Sequence, residues 1–167
     1  MKIVLSSLCL SLLLTMRAVA AQLPPAEILE YGIYSGVHQE SIANTNAPTG
    51  QVLLGGQVRL EKKTDQIPAR LKSKFGFRFV VHGQSGDAPV RLHLVYLFPE
   101  MKDPTSGQKL KRFEADVLAK LEDRNPQMLW DFTEPHELVT GQWTFQVFRG
   151  EGKLLEKKFE VVKADAK

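Results

Sequence analysis

Two runs of this chain are large and apolar at every second residue. "KFGFRFVVHG" (74–83) puts Phe75, Phe77, Phe79 and Val81 on one side, and "VRLHLVYLFP" (90–99) does the same with Leu92, Leu94, Tyr96 and Phe98. A repeat of two is the spacing of a strand with one face buried and the other in water. A third run, "GQWTFQVFRGEGKLLEKKFEVV" (141–162), shows two such strands joined by Gly-Glu-Gly. Trp143, Phe145 and Val147 share a face there, and Leu155, Phe159 and Val161 share one in the return strand. Lys157 falls on that same return face. Burying an ammonium is costly, so either a bulge shifts the register or the position lies at a sheet margin.

The rest of the chain fits the same texture. "EILEYGIYSG" (27–36), "GGQVRLEKKT" (55–64) and "QMLWDF" (127–132) read as short strands. "ANTNAPTGQ" (43–51), "DQIPAR" (65–70), "GQSGDAP" (83–89) and "PEMKDPTSGQK" (99–109) gather turn formers and read as breaks, with Pro99 stopping the second alternating run. "TEPHELVTG" (133–141) reads as a corner. Residues 110–122, "LKRFEADVLAKLE", fit a strand face or a helical face, and Ala, Glu, Lys and Leu favour helix by propensity. The all-β context favours strand. The expected fold is an antiparallel β-sandwich of about seven strands, with a short helix near 110–122 as the alternative.

The N-terminus does not belong to that sandwich. Lys2 precedes the uncharged apolar stretch "IVLSSLCLSLLLTM" (3–16), and "AVA" (18–20) supplies the small residues a signal peptidase needs. The expected division is a cleaved signal peptide over 1–20, with cleavage after Ala20 or Ala21, a tether over 21–26, one domain over 27–163 and a tail over 164–167. The apolar run is too short to span a bilayer, so no transmembrane segment is expected in the mature form. Cleavage removes Lys2 and Arg17, and the 22 basic residues fall to 20 against 19 acidic, net +1. That balance gives no reason to expect nucleic acid as a partner. Cys9, the single cysteine, leaves with the signal, which excludes disulfides and thiolate metal sites. A periplasmic or secreted location in a bacterium is expected.

"LWDFTEPHELVTGQWTFQVFRGEGKLLEKKFEVV" resembles a family of exported bacterial proteins known only as a domain of unknown function. Trp130, Phe132, Glu137, Leu138, Gly141, Trp143, Phe145, Leu154, Leu155, Phe159 and Val161 carry the resemblance, and "ILEYGIYSG" resembles the family's opening Gly-Ile-Tyr. The resemblance implies an immunoglobulin-like β-sandwich and brings no activity with it. The Cys…Trp…Cys framework of antibody domains is absent.

No constellation of catalytic residues stands out, no cofactor is expected, and an enzyme is not expected. His82 and His93 would approach each other if their strands were neighbours, but a metal site needs a third ligand. Asp131, Glu134 and Glu137 gather at the corner after residue 130. Paired carboxylates serve glycoside hydrolysis, but carboxylates at a tight corner more often bind its backbone amides. Residues 59–78 hold seven basic side chains, Arg59, Lys62, Lys63, Arg70, Lys72, Lys74 and Arg78, and residues 113–137 hold seven acidic ones. The functional reading is a basic patch for an anionic polymer or lipid headgroup, or a dipolar surface that docks a partner. The plainer reading is a solvated surface. Trp130 and Trp143 alternate with other core residues and read as core. Three functions follow, in order: an exported non-enzymatic module binding an envelope protein or polymer, a carbohydrate-binding module using Tyr31 or Tyr34, and a small hydrolase at the acidic corner.

Overall fold

The computed structural model describes residues 24–37, 40–43, 51–54, 57–83, 88–104 and 107–164. The expected signal peptide, His38 and the centre of the 43–51 loop lie outside them. The strands are β1 (Ala26–Val37), β2 (Glu40–Ala43), β3 (Gln51–Leu54), β4 (Gln57–Lys62), β5 (Gln66–Ala69), β6 (Lys74–Val81), β7 (Val90–Lys102), β8 (Lys109–Ala119), β9 (Gln127–Asp131), β10 (Gly141–Arg149) and β11 (Gly152–Lys163), with one 3-10 turn at Pro135–Glu137. Four strands form one sheet in the order β4-β1-β6-β9 and five form the other in the order β5-β11-β10-β7-β8, while β2 and β3 pair separately. The architecture is an all-β two-sheet sandwich. No helix among the described residues is long and apolar enough to cross a membrane.

The inner faces of the two sheets supply the core. Phe75 is its centre, with ring centroids 5.3 Å from Phe132, 5.6 Å from Trp143, 5.3 Å from Phe145 and 5.4 Å from Phe159. Phe132, Trp143, Phe145 and Val147 are fully buried, and Trp130, Phe159 and Val161 nearly so. Edge-to-face and tilted arrangements suit the quadrupoles of the rings. The Trp143 indole N–H donates to the carbonyl of Val139 at 3.1 Å, so the largest fully buried side chain has its donor paired.

One alternative is decided in favour of the strand, and three expectations need correction. Residues 110–122 contain no helix, because β8 pairs with β7 from Val90↔Ala119 to Lys102↔Lys109 and this pairing outweighs local propensity. "DQIPAR" is not only a break. Gln66–Ala69 forms β5 and runs parallel to β11, and Pro68 is tolerated because β5 is an edge strand. Pro99 does not stop β7. The register shifts between Leu97 and Met101, and this irregularity absorbs the residue that cannot donate. Ala26, assigned to the tether, opens β1 opposite Val81.

The irregularity in β7 also explains Gly141. Its φ is 120°, and a Cβ there would lie 3.0 Å from the Pro99 ring, so a side chain would be strained twice over. In the terminal hairpin the register shifts between Val147 and Phe148, where Val147 faces Leu155 and Phe148 faces Lys153. Leu154 is the extra residue, and both leucines pack against the core. The bulge therefore sits at Leu154 and not at Lys157. Lys157 does point inward. Its ammonium lies 3.7 Å from the ring centroid of Tyr31, a β1 residue of the opposite sheet. A cation over an aromatic face at the margin between sheets retains favourable electrostatics with little desolvation.

Candidate functional site

The outer face of the four-stranded sheet carries charges that its neighbours largely cover. β-pairing sets Tyr34 beside Lys74 and Lys74 beside Asp131. Lys74 is 4% exposed. Its ammonium donates to the carbonyl of Gly36 at 2.9 Å and stands 3.5 Å from Asp131 Oδ2. A buried lysine is stable only with such partners. Further along the same face of β6, beyond Gly76, Arg78 pairs with Glu30 at 3.4 Å and donates to the carbonyl of Val58 at 3.2 Å. The Tyr34 hydroxyl donates to the carbonyl of Glu30 at 3.2 Å. Burial, with the charge of Glu30 adding to it, pushes the Tyr34 phenol well above its ordinary range.

This row opens into a cleft of about 490 Å³. Tyr34, Gly36, Lys72, Lys74, Asp131 and Thr133 line it. Lys72 is brought there by the turn between β5 and β6. It has a φ of 65°, and its amide donates to the carbonyl of Phe132 at 2.8 Å. A non-glycine residue in the left-handed region is uncommon and tends to occur where the surrounding structure fixes it. The cleft thus holds two lysines against one aspartate. Its size falls within the range of small-ligand pockets, and its excess of positive charge suits an anionic group.

The seven basic residues of 59–78 do not form one uniform surface. Arg59, Lys62, Lys63, Arg70 and Lys72 are exposed, and Arg59 is paired with Glu61 at 2.7 Å. Lys74 and Arg78 are enclosed in the contacts above. Their alternation with Phe75, Phe77 and Phe79 puts them opposite the core, but it gives no sign that they are covered.

The acidic corner does not bring its carboxylates together. Asp131 belongs to the cleft, while Glu134 is exposed and Glu137 is fully buried. Glu137 Oε2 accepts from the amides of Thr133 and Glu134, both at 2.7 Å, and from the Thr133 hydroxyl at 3.1 Å. Burial pushes its carboxyl up, against the pull of these three donors. Its role at the turn is that of a cap, holding amides that would otherwise lack partners.

The histidines are separated as well. His82 follows β6 and His93 lies on β7, so they belong to different sheets, and the condition for their approach is not met. His82 Nδ1 lies 3.2 Å from Glu122. That glutamate also accepts from the amide of Gly83 at 2.9 Å, which, together with His82, holds its carboxyl below the usual range. His93 sits between Asp116 at 2.9 Å and Glu114 at 3.1 Å. Among the described residues, no three His, Cys, Asp or Glu side chains are arranged to hold a metal ion.

The tyrosines offered for sugar stacking are occupied. Tyr34 is 4% exposed, and the ring of Tyr31 is covered by Lys157, with Lys63 5.4 Å away. Neither presents a flat open face, so these two residues do not form the platform.

Two packed sheets with an aromatic core and a polar, lysine-lined outer face define an immunoglobulin-like β-sandwich. The chain belongs to the family described as a domain of unknown function, DUF3859, whose model matches residues 22–161. It is similar to a solved immunoglobulin-like protein from Pseudomonas aeruginosa, with a TM-score of 0.55 and 34% identity, over 86% of this chain and 100% of that one. No curated protein matches the chain.

Proposed function

We propose that this protein is an exported, non-enzymatic binding module that engages a carboxylate-bearing partner of the bacterial envelope through the Lys72–Lys74 cleft. The observation that carries the reading is the lysine-rich cleft itself. Lys74 is enclosed at its wall, where it pairs with Asp131, and Lys72 is held at its rim by a fixed turn. The non-enzymatic part is supported by the acidic corner, where Glu137 is engaged by backbone amides rather than aimed at a cleft. The periplasmic or secreted location rests on the sequence of residues 1–20.

The test is fluorescence anisotropy with two labelled probes, a short polyglutamate and an oligogalacturonate, at low and high salt. Both carry the recognised carboxylate, and their ranking tells a protein partner from a glycan. Lys72→Glu is the informative variant because Lys72 is exposed, whereas removing Lys74 would take a buried ion-pair partner out of the sheet. Binding should weaken roughly tenfold in Lys72→Glu and fall with salt. Equal affinity for both probes in wild type and variant would remove the cleft from the binding function.

A further inference from the structure

The two sheets are not closed evenly along the margin where β4 and β5 lie. β4 accompanies β1 only as far as Lys62, opposite Ile33, and β5 joins β11 only from Gln66, opposite Glu160. Tyr31 of β1 and Lys157 of β11 fall just short of these pairings, so each has a strand on one side only, β6 and β10 respectively. Residues 63–65 cross from one sheet to the other at this place and bring Lys63 with them.

Three polar groups from three parts of the chain meet there. The Lys157 ammonium is 3.7 Å from the Tyr31 ring centroid, and the Lys63 ammonium is 5.4 Å from it. Tyr31 and Lys157 are half-buried and Lys63 is exposed. Among the described residues, neither ammonium has an ion-pair partner, and neither they nor the Tyr31 hydroxyl has a hydrogen-bond partner. The enclosed cations of the outer face differ in this respect, since Lys74 is answered by Asp131 and Arg78 by Glu30. Stability alone does not account for the arrangement. An apolar side chain at the inward position of Lys157 would avoid the desolvation of a charge, and a second ammonium at the same ring adds only repulsion.

We propose that Tyr31, Lys63 and Lys157 form a binding site for a phosphate monoester group. Ammonium groups are donors only, and the phenol can donate as well, so the set recognises an anion rich in acceptors. Its two positive charges select among such anions. A carboxylate answers one of them. A phosphate monoester carries about two negative charges at neutral pH and presents three acceptor oxygens, one for each donor group. The electron-rich face of the Tyr31 ring holds the ammoniums in place and leaves their N–H groups to the ligand. The missing strand on either side keeps the margin open to it. None of the three residues lines the lysine cleft, so this site goes beyond the proposed binding function and does not depend on it.

The experiment is a titration of the isotope-labelled protein with inorganic phosphate at about pH 7.5 and constant ionic strength, read by NMR at the lysine ε positions. The signals of Lys63 and Lys157 should move together along one saturating curve in the millimolar range. Lys158, exposed on the other face of β11, is the control and should not follow them. Lys157→Met should weaken phosphate binding roughly tenfold and leave the urea midpoint unchanged or raised, because an apolar side chain suits the inward position. Lys63→Gln changes an exposed residue and should give a similar loss, whatever Lys157→Met does to folding. Tyr31→Phe keeps the ring and should cost less than either. Phosphatidylcholine vesicles carrying phosphatidic acid identify the source of the phosphate. Cosedimentation that is lost in Lys157→Met assigns it to a lipid, and phosphate binding without cosedimentation assigns it to a soluble ester. Shifts at Lys63 and Lys157 no larger than at Lys158 overturn the proposal. So does a phosphate affinity unchanged in both lysine variants.

Discussion

Glu137 and Trp143 show how single side chains hold the corner between β9 and β10. Glu137 is a carboxyl with no exposure and three donors on one oxygen. Burial raises its pKa above the ordinary 4.5, so the folded state holds its proton at pH values where the unfolded chain has released it. The sign follows from linkage: stability is greater below 4.5 and is lost as pH rises from there through the raised value. Glu137→Gln should flatten that part of the profile, whatever it does to absolute stability. Urea denaturation of both proteins from about pH 4 to 8 checks this, and identical slopes would show that Glu137 is not the group responsible. Trp143 contacts Phe75, Phe98, Trp130 and Phe132 and bonds to Val139. Trp143→Ala should cost about 3–5 kcal/mol by chemical denaturation, a large part of what a domain of this size has to lose. A cost under about 1 kcal/mol would mean that the two sheets do not depend on it.

At the level of elements, strands were legible where one face is buried against the core. β6, β10 and β11 declare themselves by alternation, since every second large apolar residue packs into the core, although the opposite face of β6 is covered as well. β5 did not, because Asp65, Pro68 and Arg70 read as punctuation. Its strand state is conferred by a parallel partner, β11, that lies more than ninety positions away in the chain. The extension of β7 past Pro99 was hidden for a related reason: the bulge that admits the proline is visible only in the pairing with β8. The candidate site was legible only as a count of charges. That count placed seven basic residues together, but it did not separate the two that are enclosed from the five at the surface. Nor did it find the cleft. Lys74 and Asp131 are joined by the pairing of β6 with β9, and a linear reading carries no signal for that pairing. Lys157 was the reverse case. Its inward position was plain from the alternation, and what makes that position tolerable is Tyr31, a residue of the other sheet.

For the whole molecule, the remaining step is where the mature chain begins. The expected cut after Ala20 or Ala21 falls just before two prolines, Pro24 and Pro25, and β1 opens directly after them at Ala26. The Pro25 carbonyl accepts from the amide of His82 at 3.0 Å, so the chain is tied to the sandwich within a few residues of the cut. Either cut would leave the fold intact and detach the only cysteine, Cys9. Two measurements follow from this. The intact mass of protein recovered from a periplasmic fraction should correspond to a chain starting at Ala21 or Gln22, and that chain should take up no thiol-specific label. A variant with Ala18→Asp and Ala20→Asp replaces the small residues the peptidase requires. It should accumulate as the longer form, with one reactive thiol when denatured. If instead the wild-type protein is found in the cytosol starting at Met1 and labels at Cys9, the first twenty residues are not an export signal, and the envelope as the place of the binding function goes with them.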